Sequence, residues 1–542
     1  MYSFDSETKV LSSYQLQPFY NHFVTAGQHA LHYLLRDPSK VIQISYDDGV
    51  TLTAGEMAKL GLRIAKNVSK EGLKLGDVIG LVAKNTTYVA PVVLGSLILG
   101  TPCSTLDPTF DEGEIAHIFK QTNPKIVFCD HDNMKNVEKA LQSINNGSEV
   151  ITIDQRVQGV RFVTEMFELL QGEAEYVPRN FGTEAYKACG VILCSSGTTS
   201  ISKGTMLSHS QCIIIASAWS QIHYPTIFCF SSLYWLSGFT TLMQCLANNV
   251  KRIITKRPYR PLLLIHLVEQ FRVNVIVTAP SHVALLLQSP YLKFADFSSI
   301  RVWIMGGGAA NTLIRKGLQD HILYGTIVMT YGMTEVGPII SSTGPFETIS
   351  NSSGKLSPNF KVKIIDEDGF ALDLYEVGEI YLMPPYRFLG YANNDEGTRN
   401  AFDPEGWLKT GDLGYLTEEG EIFIVDRKKD MIKYLNYQVA PSEIEAFVNG
   451  INGVSVACIV GIPDMISGDL PAAVVIKDNN SDITEQDIID EVARNFPIFK
   501  RLHGGAYFVD SLPMTPSGKI KKRLVRKMAA QMYKSQEING NY

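Results

Sequence analysis

The sequence has few charged residues and no clustered cysteines. Only 19% of its 542 residues are charged, and none of its 8 cysteines forms a Cys-x-x-Cys pair. Closely spaced cysteines mark zinc sites and redox centres, so neither is predicted, and scattered thiols favour an intracellular protein. The net charge of -6 gives no electrostatic reason to expect nucleic-acid binding.

Signals for secretion and membrane insertion are also absent. The N-terminus lacks a basic start followed by an apolar core, so no secretory signal is predicted. The longest weakly charged run, 88–106, contains glycines and prolines, which favours a buried helix followed by a strand over a transmembrane segment. The chain does not end in Ser-Lys-Leu. We therefore expect a cytoplasmic or peroxisomal protein, and the sequence leaves its oligomeric state open.

Two common catalytic motifs are missing as well. Lys203 is preceded by Ser202 and followed by Gly204, an order that does not fit a Walker A loop. There is no Gly-x-Ser-x-Gly elbow, so an α/β-hydrolase nucleophile is not predicted.

The part of the chain from 40 to about 340 alternates short apolar runs with helical patterns. Candidate strands are the apolar runs 78–82, 126–129, 150–153, 190–194, 275–279 and 302–305. This alternation favours an α/β fold with layered, mostly parallel sheets. After about 350, strand patterns separated by Asp-Gly and Glu-Gly turns predict a small antiparallel β region.

A dense run of charge at 426–430 separates this part from a compact α+β pattern of strands and helices. Such a run is typical of a solvated face or a linker. We predict a large N-terminal domain over 1–426 and a smaller C-terminal domain over 427–542, with a hinge near 426–430.

A polar loop follows the apolar run 188–194. The segment 195–204, SSGTTSISKG, is nearly all hydroxyl and glycine, with one lysine. Hydroxyls and backbone N–H groups donate to phosphate oxygens, glycine allows close approach, and lysine adds positive charge. The pattern therefore suits a polyphosphate-binding loop, although by itself it is equally typical of a surface turn.

Four further motifs combine side chains that suit a nucleotide. They are Tyr331-Gly-Met-Thr-Glu335, Trp407-Leu-Lys-Thr-Gly-Asp412, Asp426-Arg427 and Pro516-Ser-Gly-Lys519. An aromatic face can stack on a base, and a carboxylate can hold a magnesium ion or accept hydrogen bonds from vicinal hydroxyls.

In this order and spacing, the five motifs resemble the adenylate-forming superfamily of acyl-CoA synthetases, 4-coumarate–CoA ligases and beetle luciferases. The resemblance extends from about residue 40 to 530. It implies that a carboxylate attacks the α-phosphorus of ATP to give an acyl-adenylate, and that coenzyme A then displaces AMP to give a thioester. The first step needs positive charge and donors at the phosphates, because both reactants are anions.

The resemblance also implies roles for residues of this chain. The expected phosphate ligands are Ser195, Ser196, Gly197, Thr198, Thr199 and Lys203. Tyr331 and Gly332 are expected beside adenine, Thr334 at a phosphate, and Glu335 at Mg²⁺. Asp412, helped by Arg427, is expected to bind the ribose. Gly307, Gly308 and Ala309 are expected between adenine and the acyl pocket, and Ser237, Gly238 and Phe239 in that pocket.

Two lysines are expected to act in different steps. By resemblance, the C-terminal domain is mobile: Lys519 bridges carboxylate and α-phosphate during adenylation, and the face carrying Lys433 then replaces it for thioester formation. From the residues alone, each lysine is also typical of a solvated charge.

The chain departs from the family pattern at several positions. Ser200 and Ser202 replace a glycine and a proline in the loop, from which we expect weaker ATP binding. Asn436 replaces a glycine near the expected coenzyme A channel. Leu236 and Ser237 stand where luciferases carry two histidines, which argues against luciferin oxygenation and suits an apolar acyl chain. The sequence therefore predicts an ATP- and Mg²⁺-dependent acyl-CoA synthetase for a medium- or long-chain fatty acid. The alternatives are a luciferase-like monooxygenase and a catalytically weakened nucleotide-binding homologue.

Overall fold

A computed structural model of the chain describes residues 2–16, 23–168, 185–195, 202–217, 224–308, 312–344, 350–435, 437–478, 481–515 and 518–539. In these ranges the strands form four sheets, and helices cover the faces of the large ones. The α-helices of these ranges are Ala26–Leu34, Ala54–Lys70, Val89–Leu99, Glu112–Thr122, Met134–Ser143, His209–Ser217, Leu236–Asn248, Pro261–Phe271, Pro280–Leu287, Thr312–Gln319, Asp395–Asn400, Pro441–Val448, Glu485–Asn495 and Lys522–Asn539.

An eight-stranded sheet is parallel over most of its width. Its strands, in spatial order, are Gly390–Tyr391, Lys203–Ser208, Cys189–Ser195, Cys103–Leu106, Ile79–Val82, Ile126–Cys129, Glu149–Thr152 and Arg161–Phe162. Only the first two strands run antiparallel to their neighbours. The central strands are continuous apolar runs because helices cover both faces of such a sheet.

A nine-stranded sheet carries the second parallel layer. Its strands, in spatial order, are Lys355–Leu356, Gly337–Ser342, Thr326–Met333, Val302–Gly306, Val275–Thr278, Thr226–Cys229, Lys251–Ile254, Val41–Ser45 and Thr51–Thr53. The strands from Thr326–Met333 to Val41–Ser45 are parallel. Their carboxyl ends therefore meet at one edge of the sheet.

Two smaller antiparallel sheets complete the fold. The six-stranded sheet contains Ser3–Asp5, Val10–Ser12, Lys361–Ile365, Gly378–Met383, Leu408–Leu416 and Ile422–Arg427. The five-stranded sheet contains Tyr437–Val439, Ile432–Tyr434, Gly468–Lys477 and Val454–Asp464, with Ala506–Phe508 parallel to Gly468–Lys477. One sheet ends at Arg427 and the next begins at Ile432, and the predicted hinge near 426–430 overlaps this connection. The hinge itself stays a prediction.

The apolar core is divided between the large sheets and the five-stranded sheet. The largest apolar cluster joins the layers around helix Val89–Leu99, which is buried on every side. That burial explains why this helix has no polar face. The five-stranded sheet has apolar clusters of its own on its two faces. The predicted α/β class, with a large N-terminal domain and a small α+β C-terminal domain, is confirmed.

The weakly charged run 88–106 forms the predicted buried helix, Val89–Leu99, followed by the strand Cys103–Leu106. Across the described ranges, the helices are too short or too polar to span a bilayer.

Candidate active site

A cavity of about 530 Å³ lies where the carboxyl ends of parallel strands from both large sheets converge. Ser195, Thr278 and Gly306 each end or nearly end a strand and line its wall. Open α/β sheets bind ligands at such edges, and the volume is typical of a small-molecule site. The six-stranded sheet contributes Gly411 and Arg427, and Lys519 enters from the C-terminal part of the chain.

Asp412 is the centre of a buried hydrogen-bonded group beside the cavity. The Tyr331 hydroxyl donates to Asp412 Oδ2 at 2.7 Å, and Arg427 Nε lies 3.0 Å from Asp412 Oδ1. Asp412 and Arg427 are register partners on neighbouring strands, which fixes the pair. Burial and the nearby carboxylate raise the pKa of Tyr331 well above its usual value. The structure thus brings together three residues that the sequence predicted separately.

Glu335 is a buried carboxylate on the cavity wall. The Tyr391 hydroxyl donates to Glu335 Oε1 at 2.8 Å, and burial together with this carboxylate raises the pKa of Tyr391. The Lys203 ammonium lies 4.7 Å from the centroid of the Tyr391 ring, a distance at which the ring attracts a cation. Thr334 lines the cavity beside Glu335.

The described part of the phosphate loop lies at the same wall. Ser195 and Lys203 both line the cavity and face each other across an antiparallel pair of strands. The predicted ligands Ser196, Gly197, Thr198 and Thr199 lie outside the described residues, as do Ser200, Ala309 and Asn436. Ser202 is described, and its carbonyl oxygen lies 3.2 Å from His117 Nε2.

Lys519 reaches the cavity between a glycine and an aromatic ring. Gly307 has φ 80°, and a Cβ there would stand 2.5 Å from Lys519 Cε. The Lys519 ammonium is 5.5 Å from the centroid of the Trp235 ring. Burial, aided by the positive charge of Arg427, lowers the pKa of Lys519 to about 8.

The predicted glycines fall into different surroundings. Gly332 lines the cavity at a bulge of the hairpin, where a Cβ would approach the Pro338 carbonyl oxygen to 2.5 Å. Gly307 also lines the cavity, whereas Gly308 is exposed and faces Pro280.

Lys433 is placed away from the cavity. It is exposed on the strand Ile432–Tyr434, opposite Gln438, whose side-chain amide donates to Glu367. The structure therefore brings Lys519, and not Lys433, to the site.

One region of the cavity wall is mainly apolar and also carries the hydroxyl groups of two serines. Leu236, Val277 and Ile304 line it, and Ser237 donates to Ser231 at 2.9 Å. Of the three predicted acyl-pocket residues, Ser237 alone is on this wall. Gly238 is buried against the Ser232 backbone, and Phe239 is fully buried in the main apolar cluster.

The donor set at Glu335 fits a magnesium ion shared with a nucleotide. Magnesium takes oxygen ligands and is commonly held by one or two carboxylates together with substrate phosphates. Glu335 supplies a carboxylate at the wall that also carries Lys203. Within the described ranges, no group of three or more His, Cys, Asp or Glu side chains could hold a metal by itself.

The sequence did not predict four residues that line the cavity. They are Tyr391, Trp235, whose ring lies beside Lys519, and the cations Lys428 and Lys429. Tyr391 lies on a two-residue strand, which has no periodicity to detect. Lys428 and Lys429 belong to the charged run 426–430, and their position after the Asp-Arg pair was an available signal.

Two family models match the chain. The model described as AMP-binding enzyme matches residues 32–392, and that of the AMP-binding enzyme C-terminal domain matches residues 443–519. The chain belongs to the AMP-binding enzyme family. The predicted adenylate-forming superfamily is therefore confirmed.

Curated proteins similar to this AMP-binding enzyme include plant ligases. It is 31% identical over 499 residues to 4-coumarate-CoA ligase 1 of Narcissus pseudonarcissus, covering 89% of each chain. It is 30% identical over 500 residues to a 4-coumarate–CoA ligase of Pinus taeda, covering 89% of this chain and 90% of that one.

Solved structures share the fold. ATP-bound MatB from Rhodopseudomonas palustris superposes with a TM-score of 0.82 at 23% identity, over 94% of this chain and 100% of that chain. The luciferase-like enzyme of the nonluminescent Zophobas morio mealworm gives 0.73 at 24% identity, over 78% and 100%. The enzyme class is that of an AMP-forming carboxylate–CoA ligase, whereas the predicted fatty acyl group remains a prediction.

Proposed function

We propose that the protein activates a carboxylic acid with Mg²⁺ and ATP and transfers the acyl group from the adenylate to coenzyme A. The observation that carries this proposal is the position of Lys519. Its ammonium enters the cavity between Gly307 and the Trp235 ring. The predicted ligands Lys203, Thr334 and Glu335 line the same cavity. A cation there can neutralise charge that builds between two reacting anions.

Positive charge on the cavity wall supports the polyphosphate part of the proposal. Lys203, Arg427 and Lys429 line the cavity, and hydroxyl groups of Ser195 and Thr334 lie on the same wall. Donors fixed before the reaction lower the cost of bringing anions together. A bound magnesium ion would add its charge at the phosphates, held by Glu335.

The Asp412 group supports a site for vicinal hydroxyls. Both oxygens of its carboxylate already accept from Tyr331 and Arg427, and each has a further lone pair to offer. We propose that Asp412 accepts hydrogen bonds from the ribose and that Arg427 holds its carboxylate in place. The negative charge of Asp412 raises the pKa of Arg427 above its ordinary value, so the two side chains form an ion pair.

Two classes of acyl group, aliphatic and aromatic, suit the cavity wall around Ser237. The side chains of Leu236, Val277 and Ile304 suit the aliphatic acid predicted from the sequence. The rings of Tyr234 and Trp235 on the same wall favour an aromatic acid as a second candidate, in line with the names of the plant relatives.

A substrate screen tests the proposal. The purified protein is supplied with ATP, Mg²⁺ and aliphatic acids of graded chain length, beside hydroxycinnamic and benzoic acids, with and without coenzyme A. We expect AMP release that depends on both the acid and coenzyme A, and acid-dependent ATP–pyrophosphate exchange without coenzyme A. Absence of both with every acid would refute the function, whereas activity with aromatic acids alone would replace the fatty acyl prediction.

A further inference from the structure

One face of helix Pro280–Leu287 is covered by the C-terminal part of the chain. The Ser281 hydroxyl donates to the Gly518 carbonyl, and Gln288, which caps the helix, accepts from the Ser455 hydroxyl. Between these contacts, Ala284 and Leu285 pack against an apolar cluster of the five-stranded sheet.

These four positions, 281, 284, 285 and 288, follow the i, i+3, i+4, i+7 spacing of a single helix face. We call them the docking face. The opposite side of the helix belongs to the N-terminal part, because Val283 and Leu286 are fully buried in its apolar cluster. The helix therefore joins the two parts of the chain.

His282 follows Ser281 in the helix, next to the docking face, and contacts Gly518. A Cβ at Gly518 would stand 2.5 Å from His282 Nε2, so the glycine backbone lies directly against the imidazole. Gly518 has φ 86°, which a side chain would also strain. The fit at this contact thus depends on a flat ring on one side and the absence of a side chain on the other.

Other aromatic groups hold the imidazole in place. Its ring stacks on Tyr259 with centroids 3.9 Å apart and an interplanar angle of 6°. The Tyr259 hydroxyl donates to the His282 carbonyl at 2.6 Å. The Phe230 ring lies next to both rings and is inclined to them by 76° and 71°. Burial lowers the pKa of His282 to about 4, so the ring is neutral at physiological pH.

Gly518 immediately precedes Lys519, so a fixed Gly518 backbone fixes the origin of the lysine side chain. The turn is closed by Thr515, whose carbonyl accepts from the Gly518 N–H at 2.9 Å and whose hydroxyl accepts from the Lys519 N–H at 2.9 Å. His282 thereby acts on the cavity through Lys519 without lining the cavity itself.

We propose that His282 is a positioning residue that, with the docking face, holds the C-terminal part in the orientation that places Lys519 in the cavity. This inference rests on the proposed function. Lys433 is exposed on the same five-stranded sheet and lies outside the cavity. Bringing its face to the cavity requires the C-terminal part to leave the docking face. The contacts of His282 therefore serve adenylation and not thioester formation.

The kinetic test separates the two half-reactions. In His282→Ala, we expect acid-dependent pyrophosphate exchange to fall about 10-fold to 100-fold, as for a misplaced catalytic group. Thioester formation from the purified acyl-adenylate of the best acid should stay near the wild-type rate. His282→Phe keeps a flat ring on Tyr259 and should restore exchange. Equal loss in both half-reactions, or no loss in exchange, would overturn the proposal.

A second readout needs no catalysis. Cysteines at 288 and 455, introduced as Gln288→Cys and Ser455→Cys, are linked with a short bismaleimide, and the linked peptide is quantified by mass spectrometry. We expect a high yield that falls with His282→Ala and recovers with His282→Phe. Leu285→Ala should also lower it, whereas Leu262→Ala, an equal truncation at a half-exposed position of helix Pro261–Phe271, should not.

An unchanged yield in His282→Ala would contradict the docking role even if the kinetics changed. If no acid supports exchange in the wild type, the proposed function fails, and the cross-link still decides whether His282 and its face dock the C-terminal part.

Discussion

The Tyr331 hydroxyl donates a 2.7 Å hydrogen bond to Asp412, although the two residues are 81 positions apart. Asp412 is almost fully buried, and Arg427 neutralises its other oxygen. This contact joins the nine-stranded sheet to the six-stranded sheet beside the cavity. A buried carboxylate of this kind is stabilised by every group that donates a hydrogen bond to it, here Tyr331 and Arg427.

Removing the Tyr331 hydroxyl should therefore destabilise the protein. Tyr331→Phe leaves Asp412 with one donor fewer, and we expect a loss of about 1–3 kcal/mol in the free energy of unfolding. Urea unfolding measures it, with Tyr291→Phe at a half-exposed tyrosine as the control. Equal stability of both variants would show that the hydrogen bond contributes nothing net.

Glu335→Gln should weaken the response to magnesium without disturbing the wall. The glutamine carbonyl can still accept from Tyr391, but the charge that attracts a cation is lost. We expect the Mg²⁺ concentration for half-maximal AMP release to rise about 10-fold or more, since the carboxylate supplies a charged oxygen ligand. An unchanged magnesium titration would rule Glu335 out as a ligand.

Lys433→Ala should spare adenylation and slow thioester release. Lys433 lies outside the cavity when Lys519 is inside, so its loss should leave pyrophosphate exchange unchanged. Single-turnover transfer from the acyl-adenylate to coenzyme A should fall about 10-fold, as for loss of a positioned group. Lys527→Ala, at an exposed lysine of the C-terminal helix, is the control. Equal slowing of both steps would contradict a role for Lys433 in the second step.

The pH dependence of adenylation should follow Lys519. Its pKa of about 8 leaves the side chain charged below that pH and neutral above it. We therefore expect kcat/KM for the acid to fall as the pH rises through about 8. Lys519→Arg keeps its charge, so whatever activity remains should lack this alkaline limb. An identical limb in Lys519→Arg would assign it to another group.

The contribution of Lys519 to the free energy of unfolding should rise over the pH range in which kcat/KM falls. The pKa of Lys519 lies below its ordinary value of 10.5, so the unfolded chain binds more protons between these values. The contribution of Lys519 to stability therefore rises with pH from about 8 to 10.5. If activity falls over the pH range in which the contribution of Lys519 to the free energy of unfolding rises, the loss of activity comes from titration of Lys519 and not from alkaline unfolding.

Much of the fold could be predicted because buried parallel strands are continuous apolar runs. Ile126–Cys129 forms a strand with the predicted bounds, and Val302–Gly306 differs from its prediction by one residue. Two-residue strands such as Gly390–Tyr391 could not be found, since only pairing with a distant strand defines them.

The candidate site was predicted as separate motifs, not as contacts. Asp412 and Lys519 were named from local patterns; Lys519 lines the cavity, and Asp412 lies beside it, paired with the lining residue Arg427. The contact of Ser281 with Gly518 joins residues 237 positions apart, and no local pattern indicates it. Phe239 was expected in the acyl pocket but lies in the core, because an apolar residue near a site is as typical of packing as of binding.

Acid-dependent ATP–pyrophosphate exchange in wild type and Lys519→Ala tests the central claim most directly, with Lys527→Ala as the matched control. The account predicts exchange in the wild type and the control, and almost none in Lys519→Ala despite an unchanged fold by circular dichroism. Normal exchange in Lys519→Ala would contradict the account.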